Sequence, residues 1–204
     1  MGVYDKDIRK KLIEEFLNIP EFFSDKSTVV INELDVCFGS AIIDVVVING
    51  KMHGFEIKSE HDTLERLHTQ VKFYNKVFDT VTLVTFHKHL DKALEIIPHW
   101  WGIINVNKGN NGSIYLEMIR KPQLNSLIDN SRLAQMLWKN EQITLLEKYG
   151  YKKGVKSKTR KELSNIIGKY INEKDIKNFV RETLKNRKDW KAHSLQQICD
   201  GLLQ

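Results

Sequence analysis

Apolar residues at Ile8, Leu12, Ile13, Phe16 and Leu17, separated by polar ones, repeat at helical spacing and predict a first helix from Asp5 to Leu17. The next two stretches, "STVVINELDV" and "SAIIDVVVI", are short and β-branched, so both predict strands; the second is apolar on both faces and belongs inside a sheet. Asn49-Gly50 is a hairpin signal leading into a third strand, "HGFEIKS". Asp62 as N-cap, with Glu65 three residues on, predicts a capping-box start for a helix carrying Leu64, Leu67, Val71, Tyr74 and Phe78 on one side. That helix runs into "TVTLVT", a buried strand, and a strand, helix and strand in one sheet predict a right-handed parallel crossover.

Further on, "HLDKALEIIP" predicts a short helix stopped near Pro98, and "WGIINVNKGNNGSIYLEMIRKP" predicts two strands joined by a Gly/Asn loop. From Gln123 onward the strand pattern ends, leaving amphipathic segments around Leu133 to Tyr149, Lys161 to Tyr170 and Ile176 to Leu184. The expected architecture is α/β: a mixed central sheet flanked by helices over residues 1–122, followed by a helical unit over 123–204.

Composition adds bounds. A chain of 204 residues, 41% hydrophobic, can bury one good core and a smaller one. No apolar run approaches the roughly 18 residues of a membrane span, and the charged start "MGVYDKDIRKK" is not followed by a signal-peptide core, so a cytoplasmic protein without a membrane partner is expected. Cys37 and Cys199 show no CxxC pairing and read as two small buried thiols. Charge is uneven: residues 1–119 hold 13 Lys/Arg against 17 Asp/Glu, whereas residues 120–204 hold 19 against 9. A basic C-terminal third suits a polyanion, nucleic acid first; the competing reading is a solvated helical face.

The chemistry concentrates in the third strand. A period of two puts Glu56 and Lys58 on one face of "GFEIKS". Asp44 is the sole charge inside "AIIDVVVI", where an isolated carboxylate would bear a large desolvation cost. Two carboxylates and an ammonium converging from adjacent strands suit a hard divalent cation, Mg²⁺ or Mn²⁺, beside a lysine that orients water or neutralises charge on phosphorus. Parity makes this testable. A two-residue Asn49-Gly50 loop opposes Asp44 to Phe55 and separates the acids, so a shared ion predicts Asp44 opposite Glu56, through a three-residue Asn49-Gly50-Lys51 loop or a bulge near Gly54. On the following helix Asp62, Arg66, Gln70 and Tyr74 recur every four residues as one polar stripe.

The order "GSAIID", "EIK" after eleven intervening residues, then "QVKFY" resembles the PD-(D/E)XK nuclease superfamily, in particular its RecB-like branch with a QxxxY motif. The resemblance covers roughly residues 1–100 and implies an αβββαβ restriction-endonuclease-like core. It further implies a metal-dependent nuclease, with Asp44, Glu56, Lys58, Gln70 and Tyr74 as catalytic residues and metal positions at Asp44, Glu56, Ile57 and an upstream acid. Glu33, interrupting a β-branched strand, is favoured for that acid over Glu14 and Glu15. Ile43 stands where the motif's name has proline.

Elsewhere His87 and His89 lack a third ligand at zinc spacing. Trp100 and Trp101 read as core or interface aromatics, and no Walker-type loop occurs. The basic stretch "LLEKYGYKKGVKSKTRKELSNIIGKYI" reads as helix, loop and helix, is similar to SAP-like DNA-binding helix pairs, and supplies Lys152, Lys153, Lys156, Lys158 and Arg160, with Arg66, as candidate nucleic-acid contacts. DNA is favoured over RNA, and a homodimer is left open.

Overall fold

The computed structural model describes residues 3–110, 112–187, 190–195, 197 and 198. Helix α1 (Asp5–Phe16) and the short α2 (Pro20–Phe23) precede three strands in succession, β1 (Val29–Val36), β2 (Ala41–Ile48) and β3 (Met52–Lys58). Then come α3 (Leu67–Tyr74), β4 (Thr80–Phe86), α4 (His87–Ile96), β5 (Gly102–Lys108) and β6 (Ile114–Arg120). Among the described residues the next bounded elements are the helices α5 (Asn130–Ala134), α6 (Lys139–Lys148), α7 (Arg160–Tyr170) and α8 (Glu173–Asn186) and the strand β7 (Ala192–Ser194). The seven strands form one mixed sheet in the order β6-β5-β4-β3-β2-β1-β7. Pairs β3/β4 and β4/β5 are parallel, and the rest are antiparallel. The α/β architecture read from the sequence is therefore the observed one, with β3 at the middle of the sheet.

Each face of the sheet is covered because the alternation of strand side chains is apolar on both sides. Val30, Val45, Val47, Phe55, Ile57 and Val84 meet Ile8, Leu12 and Phe16 of α1. On the other face Val46, Ile48, Met52, Val81 and Leu83 meet Leu67 and Tyr74 of α3, and the same cluster continues without a break through Leu133, Leu146, Leu163, Ile176 and Val180 of α5–α8. Trp100 and Trp101 are core residues of this layer.

Two expectations are corrected. The segment after Gln123 is not purely helical, since β7 pairs Val29, Val30 and Ile31 of β1 with Ser194, His193 and Ala192. Asp62 does not cap α3. Its carboxylate accepts from the Ser59 backbone N–H at 2.6 Å, so it stabilises the turn leaving β3, and α3 begins only at Leu67 without a side-chain cap. Cys37 is buried at the β1–β2 turn, while Cys199 lies outside the described residues.

His53 of β3 is buried between the Thr80 hydroxyl at 2.9 Å and the Asn49 side chain at 3.3 Å, and burial pushes its pKa down to about 4. In the unfolded chain an ordinary histidine titrates near pH ~6.5, so between these values the unfolded state binds the extra proton. Stability contributed by neutral His53 is then fully present above pH ~6.5 and is lost as pH falls towards 4, by at most about 3 kcal/mol. Urea denaturation of wild type and His53→Gln across this range should show a steeper acid loss in wild type. Parallel pH profiles would contradict it.

Candidate active site

The site lies where β2 and β3 part. The antiparallel register runs Ile48↔Met52, Val47↔His53, Val46↔Gly54 and Val45↔Phe55. Three residues, Asn49 to Lys51, therefore form the loop instead of the two suggested by Asn-Gly, and the register carries Asp44 towards Glu56. Asn49 holds this longer loop, accepting from the Lys51 N–H at 2.9 Å through its side chain and donating its own backbone N–H to the Lys51 carbonyl at 3.1 Å.

Beyond Val45↔Phe55 the backbone ladder stops, and the Asp44 carboxylate takes the Ile57 N–H at 2.7 Å. The alternation of β2 shifts there, for Ile43 and Val46 both face the α3 layer while Val45 faces α1. Gly54 permits the shift, because a Cβ there would lie 2.5 Å from the Ile43 side chain. A matching irregularity in β1 occurs at Glu33, whose φ of 54° interrupts the pairing between Asn32↔Val45 and Leu34↔Ile43.

Glu56 is the hub. It is 1% exposed; its Oε1 accepts from Lys58 Nζ at 2.5 Å and from Gln70 Nε2 at 2.6 Å, and its Oε2 lies 2.8 Å from the Tyr74 hydroxyl. Positions 70 and 74 reach it together because they are one turn apart on α3. The Tyr74 hydroxyl also lies 2.5 Å from the Ile42 carbonyl. One hydroxyl proton serves only one acceptor at a time, so the Tyr74 hydroxyl donates either to the Ile42 carbonyl or to the Glu56 carboxylate. Burial holds the Glu56 pKa above the usual carboxylate range, against the opposing effect of Lys58.

Asp44, with a side chain 21% exposed, is pushed up to about 7, first by burial and then by the nearby Glu56 charge. Both acids are thus poor places for negative charge in the absence of a cation. Among the described residues the buried Gln70 Oε1 has no hydrogen-bond partner, leaving an acceptor beside them. Two desolvated carboxylates with an unused oxygen at hand fit a hard divalent ion held through oxygen ligands.

Other sequence-derived candidates are placed differently. Glu33 is 60% exposed and pairs with Arg9 at 3.4 Å; among the described residues no group of three or more His, Cys, Asp or Glu is gathered for a metal, so Glu33 does not complete a three-acid site. Glu14 and Glu15 pair with Lys11 on α1. The acid that acts on Asp44 from α1 is Asp5, whose charge adds to the upward pKa shift, and Arg9 bridges Asp5 at 2.8 Å and Asp44 at 3.7 Å. In the sequence, Asp5 and Arg9 are marked only by their i,i+4 spacing on the polar face of α1. The four-residue stripe is broken as well: Arg66 is exposed ahead of α3, Asp62 lies in the turn, and only Gln70 and Tyr74 join the site. A groove of about 440 Å³ lined by Asp5, Lys6, Arg9, Lys10, Ile13 and Glu33 opens on this side of the molecule.

In the C-terminal part Lys152, Lys153 and Lys156 are exposed and Lys158 is half-buried. Arg160 is committed to the fold rather than to a surface contact: its guanidinium donates to the Gln135 and Leu137 carbonyls and lies 4.4 Å from the Phe38 ring.

The fold and this centre define an α/β protein with a mixed seven-stranded sheet between helical layers and a buried acid–lysine cluster where two strands diverge. Residues 3–199 match the family described as bacteriophage P4 protein cII, and the chain belongs to that family. Protein cII of Enterobacteria phage P4 is 27% identical to it over 183 residues, covering 90% of this chain and 67% of that protein. No solved structure gives a significant match.

Proposed function

We propose that this protein is a metal-dependent nuclease of the PD-(D/E)XK type that hydrolyses phosphodiester bonds, with DNA as substrate. The observation that carries the reading is the convergence on Glu56 of Lys58, Gln70 and Tyr74, with Asp44 brought to the same strand junction by the three-residue loop. Asp44 and Glu56 would hold Mg²⁺ or Mn²⁺, which polarises a phosphoryl oxygen and lowers the pKa of water. Tyr74 and Gln70 fix the Glu56 carboxyl, Lys58 supplies a positive donor for charge on phosphorus, and Gln70 Oε1 offers an acceptor for a water proton. Lys6, Arg9 and Lys10 along the adjoining groove suit the phosphate backbone on either side of the reacting bond.

Incubation with single-stranded, duplex and branched DNA and RNA in Mg²⁺, Mn²⁺ or EDTA tests this: cleavage is expected with either metal and not in EDTA. Cleavage persisting in EDTA would sink the assignment. A second reading, a module that binds nucleic acid without cutting it, is favoured by the saturation of Glu56 with protein donors and predicts binding without product under any metal. No helix among the described residues is long and apolar enough to cross a membrane. The nuclease reading implies a cytoplasmic location, and light scattering would distinguish a monomer from a homodimer.

A further inference from the structure

Between Glu147 and Glu162 the chain carries no carboxylate but many lysines. Among the described residues Lys148, Lys152, Lys153, Lys156, Lys158 and Lys161 form no ion pair, whereas elsewhere Lys11, Lys51 and Lys108 are each paired with a glutamate. An inert solvated face normally interleaves both signs; on this one the lysines outnumber the acids that act on them, Asp175 near Lys148 and Glu162 near Lys158.

A second, independent feature occupies the same surface. The rings of Tyr151, in the basic loop, and Tyr170, at the end of α7, meet with centroids 5.6 Å apart and planes inclined by 36°. They are 37% and 53% exposed, so neither ring is spent on the core. Lys169 Nζ lies 5.1 Å from the Tyr170 ring. Gly150 and Gly154, with φ of 86° and 74°, make the left-handed turns that carry the loop around Tyr151. The neighbouring Tyr149 is also exposed, and its hydroxyl is engaged by Asp175 of α8.

Lysines serve phosphates of any nucleic acid. Exposed aromatic rings add something only where a base offers its face, and in a duplex those faces are already stacked on one another. We infer that Tyr151 and Tyr170, with the surrounding lysines, form a docking surface for single-stranded DNA, the rings stacking on unpaired bases while the lysines contact the backbone. The choice of DNA rests on the nuclease reading above; the choice of single strands rests on the tyrosines.

The test is fluorescence anisotropy of the full chain with a labelled single-stranded oligonucleotide, the duplex of the same sequence and the matching RNA, all in EDTA. Tyr151→Ala/Tyr170→Ala is expected to weaken single-strand binding about tenfold or more, while duplex affinity stays within about twofold because only phosphate contacts remain there. Tyr151→Phe/Tyr170→Phe, which keeps both rings, should bind like wild type. Replacing Lys152, Lys153, Lys156 and Lys158 by Gln should weaken both DNAs and flatten the salt dependence by roughly 0.7 per lost contact on single strands and 0.9 on duplex. Equal losses on both DNAs from the tyrosine variant, or no loss, overturns the stacking surface. RNA bound as tightly as DNA overturns the assignment to DNA. Because binding is read without metal, its failure is separable from failure of the nuclease reading, which is decided by metal-dependent product.

Discussion

Asp44→Asn is expected to abolish metal-dependent cleavage while the fold persists. On the proposed mechanism, the loss of one anionic ligand would forfeit several kcal/mol of transition-state stabilisation; at about 1.36 kcal/mol per tenfold this is roughly a thousandfold in rate. The asparagine side-chain oxygen can still accept the Ile57 N–H that holds the strand junction together. Glu56→Gln should be equally inactive but less stable, because it leaves the Lys58 ammonium, 3% exposed, without a charged partner. Thermal melts beside the cleavage assay therefore separate the two acids. Wild-type turnover in either variant would remove these acids from the mechanism.

The second large effect is on stability as a function of pH. Asp44 has a folded pKa pushed up to about 7 by burial and Glu56, against an ordinary unfolded value near ~3.9. Between these values the folded state binds the extra proton, so its stability declines as pH rises through that window, by at most about 4 kcal/mol. In EDTA the wild type should lose stability relative to Asp44→Asn between pH 4 and 8. Mg²⁺ should restore the loss above pH 7 in wild type alone, since it stabilises the ionised acid. Chemical denaturation of both proteins at the two ends of the range measures this, and a pH-independent difference between them would contradict it.

Much of the site was legible because its residues break a pattern. Asp44 interrupts an apolar run, Glu56 and Lys58 share one face of a strand with no room for surface charge, and Gln70 and Tyr74 are one helical turn apart. What could not be read was set by partners remote in sequence. The three-residue loop, by contrast, is implied by the parity that two acids sharing an ion require, although Asn-Gly alone signals two residues; the Asn49 side chain holds it. Asp62 has the chemistry of a cap, and the nearer Ser59 N–H claims it. Asp5 and Arg9 resemble any exposed i,i+4 pair until β2 brings Asp44 beneath them. "AHS" carries no strand pattern at all; it is a strand because β1 offers it an open edge.

That last pairing joins Val29 to Ser194, so the sheet is finished by contacts between distant parts of the chain. Such non-local closure carries a larger loop-closure cost than the local hairpin of β2 and β3. On a ribosome adding about 5–20 residues per second, β1 waits on the order of ten seconds or more for its outer neighbour to be made. During that interval its backbone donors and acceptors stand open to any other strand within reach.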